Sequence, residues 1–274
     1  MRYYFTFIFL LSLFTGNKIA YSQIYGDSLF AAGNYDLAAL AFYEEYYFEE
    51  NPDFKANFLL KRVNSLKQIG EFTKAADELD KFNFNCTNEL KYKLKFEAAL
   101  CYYLASDFLL SNLQLQWIDR LYASQSNNKD YLRLKVIILA QLENYEELEK
   151  LINEERFKVF FNAVLMQHWF VEYKTRKVKK ENTAEWFSSF VPGWGQTYAG
   201  YFGEGVSGFV LNAAALGFMG YNFWLTNYIT TFTVGSGLLN KFYFGSRRRS
   251  VHLVKSKNYQ IKQQYLLQLL ELTT

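Results

Sequence analysis

The sequence predicts an all-α protein in which repeated helix pairs precede a helical hairpin that crosses a membrane. Three observations predict this fold class. The chain has only 2 prolines in 274 residues, which favours helices over turn-rich β-structure. A short pattern recurs four times, at spacings of 37, 36 and 37 residues. No charged residue lies between Gly205 and Asn240, a run long enough for two short spans.

The composition limits the classes of protein to be considered. Hydrophobic residues make up 50% of the chain and aromatic residues 20%, which excludes a mainly disordered protein. A net charge of +3 gives no support for a nucleic-acid partner. Residues 23–170 carry 22 acidic and 16 basic side chains, whereas residues 171–274 carry 5 acidic and 12 basic side chains. This asymmetry predicts two different environments along the chain.

Residues 1–22 have the pattern of a secretory signal peptide. Arg2 precedes an apolar run from Tyr3 to Phe14, and the small residues Ala20 and Ser22 precede the predicted cleavage site. The ending of this segment resembles signal peptides of Bacteroidetes-type bacteria. An uncleaved membrane anchor is the alternative, and both readings predict that the remainder of the chain is exported.

The repeated pattern predicts a helix, a tight turn and a second, antiparallel helix. A small or polar residue closes the turn, an aromatic residue two positions later packs between the helices, and the residue three positions further contacts the partner helix. One such pair cannot bury its apolar face alone, so successive pairs stack. The predicted turn and packing residues are Gly33, Tyr35 and Ala38; Gly70, Phe72 and Ala75; Ser106, Phe108 and Ser111; and Glu143, Tyr145 and Leu148.

This pattern resembles the tetratricopeptide repeat over about residues 23–155. The first unit is the most similar, with Pro52 at its end, while Ser106 and Glu143 depart from the turn glycine and Leu148 from the small residue. The resemblance implies an α-α superhelix, placed at residues 23–170, that binds a protein or peptide. A helical bundle without a superhelix is the alternative.

One candidate partner surface lies in the first repeat, where acidic residues stand among aromatic residues. Such a surface suits a basic or aromatic peptide, although a helix of this composition also forms by burying its aromatic residues and solvating its acids. The surface comprises Glu44, Glu45, Tyr46, Tyr47 and Glu49.

Residues 171–185 are predicted to be a basic linker, and residues 186–258 a membrane hairpin domain. The linker either contacts anionic headgroups or is simply solvated. The two spans are placed near 205–223 and 229–246, with a turn at 224–228, and residues 259–274 form a helical tail. A buried hairpin of a soluble domain is the alternative. Basic flanks favour the cytoplasm, whereas an exported repeat domain followed by two spans returns the tail to the periplasm, so the topology stays open.

The hairpin domain opens with a glycine-rich motif that we interpret as an interfacial segment leading into the first span. The motif resembles the Pro-Gly-x-Gly-Gln-x-Tyr-x-Gly opening of small bacterial two-span membrane domains. That resemblance covers about residues 186–258 and implies a membrane location, with no family activity to carry over. The membrane-entry residues are Pro192, Gly193, Gly195, Gln196, Tyr198 and Gly200.

No residue pattern predicts catalysis, a cofactor site or a metal site. His168 and His252 lie near no nucleophile, and Cys86 and Cys101 have no metal-ligand spacing, so they form either a disulfide or two buried thiols. The sequence therefore predicts a non-enzymatic scaffold, anchored in the inner membrane with its repeats in the periplasm, whose partners are a protein or peptide and the lipid bilayer. The alternative is an accessory subunit of a transport, secretion or insertion complex in which the hairpin is the working part.

Overall fold

The computed structural model describes residues 25–274, which contain helices and no β-strand. The predicted all-α class is therefore confirmed for this part of the chain. The predicted signal peptide, residues 1–22, lies outside the described residues. Residues 25–164 and residues 165–272 form two compact units.

The first unit consists of short helices joined by tight turns, and successive helices pack against each other. Its core collects small and aliphatic side chains from α2 to α5, which keeps the helix axes close together. The helices are α1 (25–31), α2 (Tyr35–Phe48), α3 (Pro52–Gln68), α4 (Phe72–Asp80), α5 (Asn88–Leu104), α6 (Phe108–Leu121), α7 (Lys129–Gln141), α8 (Tyr145–Asn153) and α9 (Glu155–Phe160).

All four predicted turn residues adopt the same left-handed backbone conformation. In the first turn the N–H of Asn34 donates to the carbonyl of Leu29 at 2.9 Å, and the equivalent bond closes the other three turns. This geometry is the usual way to end a helix on a left-handed residue. The φ angles are 77° at Gly33, 81° at Gly70, 64° at Ser106 and 56° at Glu143.

The residues that follow each turn pack as their spacing suggests. Each aromatic residue is half-buried, and the residue three positions later has no exposed surface. In the third turn that buried residue is Ser111, whose hydroxyl donates to the carbonyl of Ala99 at 2.5 Å and is thereby satisfied. The fully buried set is Ala38, Ala75, Ser111 and Leu148.

We expect Ser106→Gly to stabilise the protein by about 1 kcal/mol, because a residue with a Cβ is disfavoured in the left-handed region and glycine is not. The opposite change in the second turn, Gly70→Ala, should lower the free energy of unfolding by about 1–2 kcal/mol. The added Cβ would meet no atom within 4 Å, so only the left-handed backbone conformation is strained. Chemical unfolding of the full chain in mild detergent measures the free energy of unfolding of both variants. A destabilising Ser106→Gly would show that the hydroxyl matters more than the turn.

A buried arginine joins three helices of the first unit. Arg62 of α3 donates from Nε and Nη2 to the carboxylate of Glu78 in α4, at 2.5 and 2.7 Å, and from Nη1 to the carbonyl of Ala39 in α2, at 2.6 Å. Its guanidinium lies 4.4 Å from the ring centre of Tyr43. Because the side chain of Arg62 is 8% exposed, these partners replace water almost completely.

In the second unit, α11 (Glu181–Phe190), α12 (Trp194–Ala199) and α13 (Phe202–Trp224) each contact α15 (Ser236–Leu272). One π-helical turn, Thr231–Gly235, interrupts the return helix. The helices are α10 (Ala163–Thr175), α11 (Glu181–Phe190), α12 (Trp194–Ala199), α13 (Phe202–Trp224), α14 (Tyr228–Thr230) and α15 (Ser236–Leu272). Residues 171–185, predicted as a linker, include the end of α10 and the start of α11.

Within residues 25–274, α13 is the one helix that is long and apolar enough to cross a membrane. Its most apolar window is 17% buried, so most of its surface is exposed. The predicted second span, residues 229–246, is also helical and its α15 part packs against α13, but it is less apolar. Asn240, Lys241 and several threonine and serine residues lower its hydropathy.

Candidate functional site

The membrane-entry motif packs closely against two neighbouring helices of the second unit. Pro192 and Gly193 make the turn between α11 and α12, and Gly193 has a φ of 104°. A Cβ at Gly193 would lie 2.1 Å from the carbonyl oxygen of Gly205 in α13. A Cβ at Gly195 would lie 2.2 Å from the carbonyl oxygen of Ala184 in α11. The two glycines therefore let α12 approach α11 and α13 at backbone distance.

A buried polar network ties this turn to α15. Gln196 is 2% exposed, and its Nε2 donates to the hydroxyl of Ser246 at 2.8 Å and to the carbonyl of Ser246 at 3.2 Å. The N–H of Gly193 donates to the same hydroxyl at 3.2 Å, and the N–H of Gly195 donates to the hydroxyl of Ser188 at 3.1 Å. The network thus holds the turn, α11 and α15 in one arrangement.

Tyr198 of the motif contacts the basic segment that precedes α11. The hydroxyl of Tyr198 accepts from the N–H of Lys180 at 3.2 Å, and Nζ of Lys179 donates to the carbonyl of Tyr198 at 2.6 Å. Lys179 is further held by Asn258 of α15, with backbone-to-side-chain bonds of 2.8 and 3.0 Å. Gly200 ends α12 with a φ of 101°. Part of the predicted linker is therefore packed against α12 and α15.

The motif also separates an inner from an outer surface. Gly195, Gln196 and Ala199 of α12 are buried, as are Ala184 and Ser188 of α11. Large aromatic side chains of the same segment point outward and are exposed. These are Trp186, Phe187, Phe190, Trp194 and Phe202.

The second half of α15 is joined to α10 and α11. Arg247 pairs with Glu185 at 2.6 Å, and the hydroxyl of Ser250 donates to the carbonyl of Ala184 at 3.3 Å. Further along, the indole N–H of Trp169 donates to the carbonyl of Tyr265 at 2.9 Å. Residues 247–265 and residues 165–200 therefore belong to one packed body.

Beside Gln196, a cleft of about 290 Å³ opens between α13 and α15. Glu204 and Arg249 face each other across it and form a two-bond ion pair, with distances of 2.7 and 2.8 Å. Lys241 also lines the cleft and is exposed. Asn212 is 3% exposed, and its amide donates to the carbonyl of Gly208, while its Oδ1 is buried and has no hydrogen-bond partner among residues 25–274.

The residues of the candidate partner surface in the first repeat are partly buried and partly accessible. Glu45 is buried, and burial, followed by repulsion from Glu44 and Glu49, raises the pKa of its carboxyl group. Tyr46 is half-buried and its ring lies 6.1 Å from that of Phe84. Glu44 and Tyr47 point to solvent, and Glu49 is partly exposed. Glu45 and Tyr46 thus contribute to packing, and the other three are accessible to a partner.

Sequence reasoning missed a second surface, on α6. This helix turns polar residues inward: Ser111 and Gln114 are buried, and Nε2 of Gln114 donates to Asp80 at 2.8 Å. Four large apolar side chains, one on each successive turn, are between 48 and 68% exposed. Their spacing of four residues is visible in the sequence, but the same spacing is typical of a buried face. We call this set the α6 ridge: Leu109, Leu113, Trp117 and Leu121.

The remaining candidate side chains are placed as follows. Cys86 and Cys101 are buried and not bonded to each other, and burial raises the pKa of the Cys101 thiol to about 12. His168 is exposed on α10, 3.9 Å from Glu172. No group of three or more metal-binding side chains occurs among residues 25–274. No protein-family model, curated protein or solved structure matches the chain.

Proposed function

We propose that the protein is a membrane-anchored scaffold of the bacterial cell envelope, which binds a partner protein or peptide through its helical repeats and performs no chemistry of its own. The observation that carries the proposal is the α6 ridge. Its four apolar side chains are exposed, although α6 buries Leu115 and Ile118 completely on its other face. An exposed apolar ridge on a well-packed domain is typical of a docking surface.

The ridge suits an apolar or amphipathic helical partner. Side chains four residues apart form a continuous ridge along a helix, and such ridges fit the grooves of a facing helix. Trp117 lies within the ridge, and tryptophan is enriched among the residues that dominate binding energies. The four left-handed turns support a tetratricopeptide-like superhelix, in which stacked pairs leave such helix faces accessible.

Membrane anchoring is supported by the exposed surface of the second unit. α13 exposes Phe209, Val210, Leu216 and Phe223, a pattern that suits lipid rather than water. We propose that α13 and residues 228–246 cross the inner membrane as a pair. Because residues 165–200 and 247–265 pack together, both ends of the hairpin then lie on one side, which we assign to the periplasm together with the repeats.

We expect the double change Leu113→Arg and Trp117→Arg to abolish capture of the partner without unfolding the protein, because both side chains already face solvent. The measurement is affinity purification of the full chain from native membranes in mild detergent, with quantitative mass spectrometry of the proteins captured. A matched control is Val159→Arg, which places a charge at another exposed apolar position, 77% exposed, outside the ridge. Unchanged capture by the double variant would overturn the assignment of the ridge.

The accessory-subunit function is favoured by one observation, the buried network between Gln196 and Ser246, which gives the hairpin domain a fixed polar interior. A chain lacking residues 23–155 distinguishes the two functions. If the same proteins are captured by this shortened chain, the hairpin domain is the working part. If they are lost with the repeats, the scaffold function holds.

We expect the full chain to stay in the membrane pellet after an alkaline wash, and a chain lacking residues 186–246 to be released. The deletion removes α13 and most of the apolar surface of the second unit, so little remains to hold the chain in lipid. Quantitative immunoblotting of pellet and supernatant measures both. Release of the full chain would contradict membrane insertion.

A further inference from the structure

Lys241 places a positive charge within the apolar hairpin. It follows the uncharged run that ends at Asn240 and precedes Phe242, Tyr243 and Phe244. Along α15, Lys241 lies eight residues before Arg249. This spacing places Lys241 about 12 Å closer to the hairpin turn than Arg249. If the hairpin crosses the membrane as proposed, Lys241 lies deeper in the membrane than Arg247, Arg248 and Arg249 of the same helix. A charge at such a depth requires a counter-ion.

The described part of the chain supplies no counter-ion to Lys241. No carboxylate oxygen of residues 25–274 lies within 4 Å of its ammonium group. The acid that lines the same cleft is Glu204, and both of its carboxylate oxygens already accept from Arg249. The cleft therefore contains one acidic and two basic side chains, a surplus of one positive charge.

The cleft also offers donors and apolar walls side by side. Arg249 uses Nε and Nη2 for Glu204, which leaves the N–H groups of Nη1 for another acceptor. Lys241 contributes three further N–H donors. Leu211 and Phe242 form the apolar part of the lining, next to the exposed surface of α13. A ligand that combines one negative charge with a hydrocarbon chain would contact both the N–H donors and the apolar side chains of this lining.

We propose that the cleft binds the phosphodiester group of an anionic phospholipid. Lys241 and Nη1 of Arg249 donate to the phosphate oxygens, and the acyl chains lie against Leu211 and Phe242. A singly charged phosphodiester cancels the surplus charge, whereas a zwitterionic lipid does not. The inference rests on the proposed membrane function, because the lipid reaches the cleft only from a bilayer that surrounds the hairpin.

The test uses the full chain, reconstituted in nanodiscs that contain equal amounts of phosphatidylglycerol and phosphatidylcholine. Native mass spectrometry after release into detergent counts the lipids that remain bound, and titration with short-chain phosphatidylglycerol gives the affinity. We expect selective retention of phosphatidylglycerol, and a roughly tenfold or greater loss of affinity in Lys241→Gln, since a charge-assisted hydrogen bond is lost. Lys241→Arg should retain the binding.

Arg248→Gln is the matched control, because Arg248 carries the same charge on the same helix, is exposed, and does not line the cleft. It should bind phosphatidylglycerol like the unchanged chain. Equal binding by Lys241→Gln and the unchanged chain, or equal retention of phosphatidylcholine, would overturn the site. Equally tight binding of inorganic phosphate would overturn the lipid as its ligand.

An alkaline wash of the same preparations separates this inference from the function on which it rests. Release of the unchanged chain from the membrane defeats the proposed function. If the unchanged chain and Lys241→Gln both stay in the membrane and bind phosphatidylglycerol alike, the membrane function stands and only the cleft assignment fails.

Discussion

Replacing Arg62 with methionine should destabilise helices α2 to α4 by about 3–5 kcal/mol. Methionine fills much of the volume but donates no hydrogen bond, so the carboxylate of Glu78 and the carbonyl of Ala39 lose their partner inside the packed unit. The side chain of Glu78 is only 23% exposed, so water replaces the guanidinium incompletely. Contact with the ring of Tyr43 is lost as well.

The neighbouring Lys61→Met provides the control. Lys61 has the same charge on the same helix and also forms an ion pair, with Asp27 at 2.7 Å, but both side chains are substantially exposed. Exposed pairs contribute about 0–1 kcal/mol, so this variant should differ little from the unchanged chain. Hydrogen-exchange mass spectrometry of the full chain in detergent measures the opening of α2 to α4 in each case. Equal protection in both variants would show that Arg62 contributes no more than a surface lysine.

The turns of the repeat unit were predictable because their spacing carries information beyond residue type. Ser106 and Glu143 lack the conformational freedom of glycine, yet they occupy the left-handed position that the spacing from Gly33 and Gly70 indicates. In all four turns the aromatic residue is half-buried and the residue three positions later is fully buried, and this packing holds the turn residue in place. The backbone preferences of serine and glutamate alone do not predict a left-handed conformation at either residue. The spacing of the repeats therefore predicted these turns better than residue type.

The packing around the membrane-entry motif could not be predicted from local sequence. Gly195 shows no unusual backbone angle, and its need for hydrogen in place of a side chain arises from contacts with Ala184 of α11 and Ser250 of α15. The sequence predicts a segment that lies on a membrane surface, and it does not indicate that Gly193, Gly195 and Gln196 of this segment are buried. Likewise, an apolar spacing of four residues on α6 did not reveal which side of that helix faces the core.

Substitution of Gly193 by alanine should produce the largest loss of stability in the second unit, about 2–5 kcal/mol. Two separate costs combine at this position. The backbone φ of 104° is disfavoured for any residue with a Cβ, by about 1–2 kcal/mol. The added Cβ would also lie 2.1 Å from the carbonyl oxygen of Gly205, so the α12 turn must move away from α13, at about 1–3 kcal/mol. That movement separates the N–H of Gly193 from the hydroxyl of Ser246.

Gly200→Ala separates the two costs, because Gly200 has nearly the same φ, 101°, while the nearest atom to its added Cβ is Nζ of Lys179 at 3.7 Å, an ordinary van der Waals contact. It should therefore lose only the backbone contribution, about 1–2 kcal/mol. The free energies of unfolding of the two variants are compared by denaturing the full chain in detergent, with tryptophan fluorescence as the probe. If both lose the same stability, the close approach of α12 to α13 is not what the motif provides. If Gly193→Ala loses more, and Gly195→Ala follows it despite an ordinary backbone, then contact between helices is the reason that this motif contains glycine.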